Sequence, residues 1–118
     1  MNKSEFISSI SKVKVNKDRV ETISKVYNAD LSDTVAKMVS FADQVDFFDE
    51  ERRALSYAEI FNPKKNIGID FPELKLIPLI DAYDCTYIVY SIKDKKWAKY
   101  NTVDNILFKK KASIEEVI

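Results

Sequence analysis

The side chains best able to do chemistry in this sequence are carboxylates, and they are concentrated in two places. The larger cluster lies near the middle of the chain, with no Lys or Arg between Lys37 and Arg52, and consists of Asp43, Asp46, Asp49, Glu50 and Glu51. The smaller group is the pair Asp81 and Asp84. Glycosidic chemistry needs two carboxyl groups about 5–10 Å apart across a cleft, one with a raised pKa. Nothing in the sequence places these carboxylates in a pocket, so we predict no catalytic residue among them.

A metal site is not expected either. Calcium loops alternate their oxygen ligands around a central glycine, whereas Asp43, Asp46 and Asp49 recur every third residue with no glycine between them. The chain has no histidine, one cysteine and one glycine. The sequence therefore predicts no metal, no cofactor and no enzymatic activity, and it directs attention to binding surfaces.

Two interpretations of the carboxylates remain open. They are either solvated surface groups that keep the protein soluble, or an acidic patch that attracts a basic partner and raises its association rate. In the second interpretation, tyrosines near the smaller pair belong to the same surface, since Tyr is favoured at interfaces. The candidate partner-binding residues are then Asp43, Asp46, Asp49, Glu50, Glu51, Asp81, Tyr83, Asp84 and Tyr87.

Cys85 stands at the start of an apolar strand, where we expect a buried thiol acting as a small hydrophobe rather than a reactive group. The lysine runs 93–96 and 109–111 are expected to protect sheet edges from unwanted pairing; contact with an acidic partner is the alternative.

Length and composition indicate one domain. The chain has 118 residues, 46% of them hydrophobic and 32% charged, with a formal net charge of zero. A neutral chain is unlike a general nucleic-acid binder, and no run approaches the roughly 18 apolar residues that span a bilayer. With no visible signal peptide, we expect a cytoplasmic protein without nucleic-acid or membrane partners, monomeric or weakly dimeric.

Apolar spacing predicts helices over 4–13 and 17–27, the second capped by Asn16, and a third helix capped by Ser32. Val45, Phe47 and Phe48 suggest a short strand before a polar turn over 49–53. Ser56 and Glu59 form a capping box that opens a helix over 57–61. Residues 62–72 read as a loop.

A sheet follows in the second half. We predict strands over 74–80, 86–92, 97–101 and 103–109, with Pro78 at an edge or a bulge and a four-residue turn in the hairpin. Tyr87 and Val89 face one side of their strand, and Ile88 and Tyr90 the other. Either the segment 62–73 or a C-terminal helix opened by Ser113 covers the Tyr87 side, or that side is an aromatic contact surface. The fold class is α+β, with N-terminal helices packed on an antiparallel meander sheet and a short C-terminal helix.

The order of these elements, over about residues 17–118, resembles the SUKH superfamily, the Smi/Knr-like proteins, with residues 1–16 as a helical extension. The resemblance rests on five segments: Val20–Tyr27 running into Ala29–Thr34, Leu55–Ile60, Ile77–Asp81, the hairpin 86–100, and Ala112–Val117. Ser32 stands where the family usually has Pro, and the family's Asn-Gly-Gly after the second helix is absent.

The resemblance implies a small binding domain. Many bacterial members look like immunity proteins, which neutralise a toxin, often a nuclease, in the cytoplasm; fungal relatives regulate cell-wall synthesis. We therefore expect an immunity protein of a toxin–antitoxin pair that covers the cleft of a basic toxin domain. The alternatives are a regulatory scaffold that binds a cellular enzyme and a small-ligand-binding or hydrolytic enzyme.

Overall fold

Three helices occupy the N-terminal part of the chain, as the apolar spacing predicts. The computed structural model describes residues 2–43 and 52–118, and its first helices are α1 (Lys3–Ser11), α2 (Lys17–Tyr27) and α3 (Asp33–Phe41). The side chain of Asn16 caps α2 by accepting a hydrogen bond from the Arg19 N–H at 3.2 Å. Ser32 occupies the cap position of α3, but its side chain makes no capping bond. The bounds of α2 are confirmed, and α1 ends two residues earlier than predicted.

The middle of the chain contains a short strand, β1 (Arg53–Ala54), and then α4 (Tyr57–Phe61). The capping box of α4 is confirmed: the Glu59 N–H donates to Ser56 Oγ at 3.2 Å, and the Ser56 N–H donates to Glu59 Oε1 at 3.0 Å. Arg53 belongs to β1 rather than to a polar turn.

The prediction of a loop over 62–72 is wrong, because this segment contains two short helices, α5 (Pro63–Asn66) and α6 (Phe71–Leu74). Asn62 caps α5 by accepting from the Lys65 N–H, and Asp70 caps α6 by accepting from the Glu73 N–H, both at 3.3 Å. Proline near the start of each helix has no N–H to lose there. Four residues are too few to show a helical period, which is why apolar spacing missed both helices.

The second half forms an antiparallel meander. Its strands are β2 (Leu76–Asp81), β3 (Thr86–Ser91), β4 (Lys96–Asn101) and β5 (Ile106–Lys111), and the sheet order is β1-β2-β3-β4-β5. The α+β fold class is confirmed. The register of β2 against β3 shifts between Pro78 and Ile80, so Pro78 lies at a bulge as predicted. Four residues connect β3 to β4, also as predicted.

The two faces of the sheet are covered by different parts of the chain. The pairs Tyr87–Tyr100 and Tyr90–Trp97 lie three residues apart along β3 and β4, so they are on opposite faces. Phe71 of α6 contacts Tyr87 and Tyr100, with ring centroids 5.6 and 5.8 Å away. The segment 62–73 therefore covers the Tyr87 face, which was one of the two open interpretations.

Helices α1 and α3 lie toward the other face. Trp97, only 4% exposed, lines a cavity of about 290 Å³ whose walls include Ile10 of α1, Thr34 of α3 and Ile114. Because both faces are covered, the neighbours Ile88 and Val89 of the central strand are both fully buried.

The prediction that Ser113 and Glu116 form a capping box at the start of the C-terminal helix is wrong. Residues Ile114–Glu116 form one turn of 3₁₀ helix, and the Ser113 hydroxyl donates to the Glu116 carboxylate at 3.2 Å instead of accepting from a backbone amide. Ile114 and Val117 nevertheless anchor this turn in the core, where they are 5% and 0% exposed. The strand predicted from Val45, Phe47 and Phe48 lies outside the described residues.

Tyr27 links α2 to α4 through a buried hydrogen bond, since its hydroxyl donates to the Ile60 carbonyl at 2.7 Å. Burial, and then the negative charge of Asp70, raise the pKa of this phenol. We expect Tyr27→Phe to lower the free energy of unfolding by about 1–2 kcal/mol, because the buried carbonyl loses a donor. Urea denaturation measures this. Tyr83→Phe, at a 62% exposed ring, is the control and should change stability little; equal stabilities of the two variants would contradict the prediction.

Candidate partner-binding site

The end of the sheet at the β2–β3 turn is anchored by an ion cluster between β1, β2 and α4. Arg53 donates from its two terminal nitrogens to the two carboxylate oxygens of Glu59, at 2.7 and 3.0 Å. The same guanidinium lies 3.6 Å from Asp81 Oδ2. The hydrogen bond to Glu59 is the main cause that raises the pKa of Arg53. It also lowers the pKa of Glu59 from 4.5 to about 2, with help from the Ser56 amide and hydroxyl.

Asp81 therefore has a structural task and is not a free surface charge. One of its oxygens faces Arg53, and the other accepts the Tyr83 N–H at 3.1 Å. This second bond is a local Asp turn, which fixes the path of the chain as it leaves β2.

The β2–β3 turn holds three consecutive residues in the left-handed region. Tyr83, Asp84 and Cys85 have φ of 72°, 51° and 57°. This conformation costs residues other than glycine roughly 1–2 kcal/mol each, and such conformations cluster at binding sites, held by the surrounding structure. The holding contacts here are the Asp turn and the bond from the Thr86 N–H to the Tyr83 carbonyl at 3.1 Å.

The neighbouring β4–β5 turn joins the same end of the sheet. The Thr102 N–H donates to the Cys85 carbonyl at 2.8 Å, which ties the two turns together. Asn101 Oδ1 accepts from the Val103 and Asp104 amides, both at 3.0 Å. Side chains on both turns are exposed, among them Tyr83 at 62% and Val103 at 75%. We call four of the exposed residues of the two turns, Tyr83, Asp84, Val103 and Asp104, the turn-end surface.

Besides Asp81, the predicted binding residues lie in different settings. Tyr83 and Asp84 lie together on the turn-end surface. Asp43 makes internal contacts: it accepts the Tyr57 N–H at 3.3 Å and lies 3.7 Å from Arg19. The remaining members of the larger cluster, Asp46, Asp49, Glu50 and Glu51, fall outside the described residues.

Tyr87 is half-buried beneath the turn rather than displayed. Its ring packs edge-on against Phe71, and burial, followed by the charge of Asp81, raises the pKa of its phenol. Tyr87 thus supports the turn from the sheet. It does not offer a free aromatic face.

Val103 and Asp104 are residues of the candidate site that the sequence analysis did not identify. Val103 was assigned to the start of the last strand, whereas β5 begins three residues later, at Ile106. The signal that could have found the turn is Asn101, since Asn side chains often accept amides of the turn that follows.

The prediction of a buried Cys85 is also wrong, because the residue is exposed. It belongs to the left-handed turn and precedes the first residue of β3. Its side chain therefore does not take part in the inward and outward alternation of the strand.

Among residues 2–43 and 52–118, no group of three or more acidic or cysteine side chains is placed to hold a metal ion. No helix in the described part of the chain has the length and apolar character needed to cross a membrane. Comparisons with protein-family models, with curated proteins and with solved structures found no match.

The ion cluster makes the stability of the fold fall as the solution becomes acidic. Because the folded protein keeps Glu59 ionised down to pH about 2 while the unfolded chain protonates near 4.5, the unfolded state binds more protons in that window. The contribution of Glu59 to the free energy of unfolding is complete above pH 4.5 and is lost as the pH falls toward about 2. Glu59→Gln should flatten this acid limb and cost about 1 kcal/mol at neutral pH.

Denaturant midpoints measured between pH 2 and 7 test this prediction. Glu21→Gln, at an exposed carboxylate of α2, is the matched control and should keep the wild-type acid limb. An identical acid limb in Glu59→Gln and wild type would show that Glu59 does not carry the effect.

Proposed function

We propose that this chain is a non-catalytic protein-binding module, and specifically an immunity protein of SUKH type that neutralises a basic, nuclease-type toxin by covering its active cleft. The observation that carries the proposal is the turn-end surface, on which exposed apolar side chains stand beside carboxylates. Tyr83 is 62% exposed and Val103 is 75% exposed, and Asp84 and Asp104 are their exposed neighbours in the chain.

This composition suits a basic protein partner. Aromatic and apolar groups supply most of the binding energy when an interface excludes water. Carboxylates at the rim steer a cationic cleft into register and raise the association rate. Asp84 and Asp104 are at the surface already, so no buried charge has to be uncovered for binding.

The backbone of the surface is organised before any partner arrives. Asp81 and Asn101 accept amides of the two turns, and the Thr102–Cys85 hydrogen bond links the turns to each other. A surface fixed in this way loses less conformational entropy on binding, which leaves more of the contact energy for affinity.

The order of elements also supports the SUKH part of the proposal. Helices α1 to α3 precede the sheet, and the strands follow as a meander, which is the arrangement that the sequence resemblance implies. Similar folds serve different functions, so the toxin-binding role depends on the surface and on the identity of the partner. A cellular enzyme as partner would place the chain with the regulatory scaffolds.

Purification of the protein from its native cells with any bound companion, followed by mass spectrometry, is the first experiment. We expect a basic toxin domain. A regulatory enzyme as the sole companion would reject the immunity role and favour the scaffold alternative. Measured turnover of a small compound, abolished by one side-chain substitution, would reject the non-catalytic role.

The surface itself is tested with the double variant Asp84→Asn and Asp104→Asn. Asparagine tolerates the left-handed conformation of residue 84, so the melting temperature should stay almost unchanged. Loss of two steering charges should lower the association rate with the companion roughly threefold to tenfold at low salt. Stopped-flow or surface-plasmon-resonance kinetics measure the rate.

The matched control is Glu21→Gln with Glu115→Gln, which removes the same charge from exposed positions on α2 and the 3₁₀ turn. The control should leave the rate near that of wild type. Equal association rates for the two double variants would show that the carboxylates of the turn-end surface do not steer binding.

A further inference from the structure

The outer edge of the sheet at β5 is open. The sheet order ends with β5, and among the residues that the structure describes no strand pairs with its outer side. An edge strand presents unpaired N–H and C=O groups, which another extended chain can use as a template.

The first half of β5 exposes apolar side chains on this edge. Ile106 pairs with Asn101 and Phe108 with Lys99, so both side chains are on the same face of the sheet. They are 53% and 40% exposed. Leu107, between them, packs against the core on the other face. Edge strands that are protected against pairing commonly carry charged side chains at exposed positions. Ile106 and Phe108 are apolar instead, which indicates a contact surface.

The second half of the strand is strongly basic. Lys109, Lys110 and Lys111 are exposed, and the Lys110 amine lies 3.0 Å from an Asp94 carboxylate oxygen. Lys99 lies across from Phe108, and burial, followed by the charges of Lys109 and Arg52, lowers the pKa of its amine. Positive charge has therefore accumulated beside the exposed Ile106 and Phe108.

We propose that the outer edge of β5 receives an extended acidic segment of a partner protein, which adds a strand to the sheet. Backbone hydrogen bonds to the edge supply affinity, and alternating side chains supply specificity. Apolar side chains of the segment contact Ile106 and Phe108, and its carboxylates lie near the lysines of residues 109–111. This surface has the opposite charge to the turn-end surface, so it selects a different partner or a different part of one.

A second copy of the chain fits this edge less well. Pairing of β5 with itself would bring two runs of three lysines into one ladder, and the mutual repulsion of these charges opposes the pairing. The strand is also irregular in this half. Trp97 and Lys99 are two residues apart in β4, whereas their partners in β5, Lys111 and Phe108, are three residues apart. Lys109, between them, has φ of 55°. The regular stretch left for pairing, Ile106–Phe108, is short and needs charge attraction to hold an occupant.

The test uses a blocked synthetic peptide of alternating glutamate and valine as the probe, with NMR of the labelled full chain. We expect amide shifts centred on residues 106–111, slower hydrogen exchange along β5, and weaker binding at higher salt. A peptide of alternating lysine and valine should give none of these effects. Lys109→Glu with Lys111→Glu should weaken binding of the acidic peptide at least about tenfold.

Two matched controls separate the edge from general charge and hydrophobicity. Lys64→Glu with Lys65→Glu, at exposed positions of α5, should leave peptide affinity nearly unchanged. Phe61→Ser, at a 44% exposed ring of α4, should bind as wild type, whereas Phe108→Ser should bind several-fold more weakly. Melting temperatures confirm that each variant is folded.

Three outcomes would overturn the proposal. The first is the absence of shifts in 106–111 at millimolar acidic peptide, and the second is equal binding of the lysine peptide. The third is a concentration-dependent dimer that Phe108→Ser abolishes, which would assign the edge to a second copy. None of these results bears on the turn-end surface, whose test uses other residues.

Discussion

The rest of the structure depends on one constraint, which is that the central strand must be covered on both faces. Ile88 and Val89 are neighbours in β3, point to opposite sides of the sheet and are both fully buried. Phe71 of α6 contacts one face, and Trp97 on the other lies near α1 and α3. With both faces covered by packing, the two surfaces that we propose for binding lie at the end of the sheet and at its outer edge.

Charged groups in this protein separate into those that stabilise the fold and those that remain exposed at the surface. The Arg53–Glu59–Asp81 cluster joins β1, α4 and β2 and also aims the turn that carries Tyr83. Asp81 therefore belongs to the ion cluster and also fixes the backbone position of the exposed Tyr83. Beyond this cluster, the turn-end surface is acidic and the β5 edge is basic, an asymmetry that a net charge of zero conceals. A neutral chain can thus offer two electrostatically distinct surfaces.

Residue type identified some exposed residues of the candidate site, but it did not predict the contacts of Asp43 and Asp81 or the exposure of Cys85. Tyr83 and Asp84 were selected for their residue types, and the structure exposes both. Asp43 and Asp81 have the same residue type as Asp84, but contacts with distant residues, Tyr57 and Arg53, engage them. Cys85 was expected to be buried from its apolar neighbours, yet its left-handed φ places it in the turn.

The sequence by itself determined the elements whose signals are local. Apolar spacing defined α2, the Ser56–Glu59 capping box defined α4, and the missing N–H of Pro78 placed a bulge in β2. Tertiary structure alone decided which carboxylates are free, which face Phe71 covers and that the β4–β5 turn meets Cys85. Those outcomes depend on contacts between residues far apart in the chain, and the spacing of residue types carries no information about such distances.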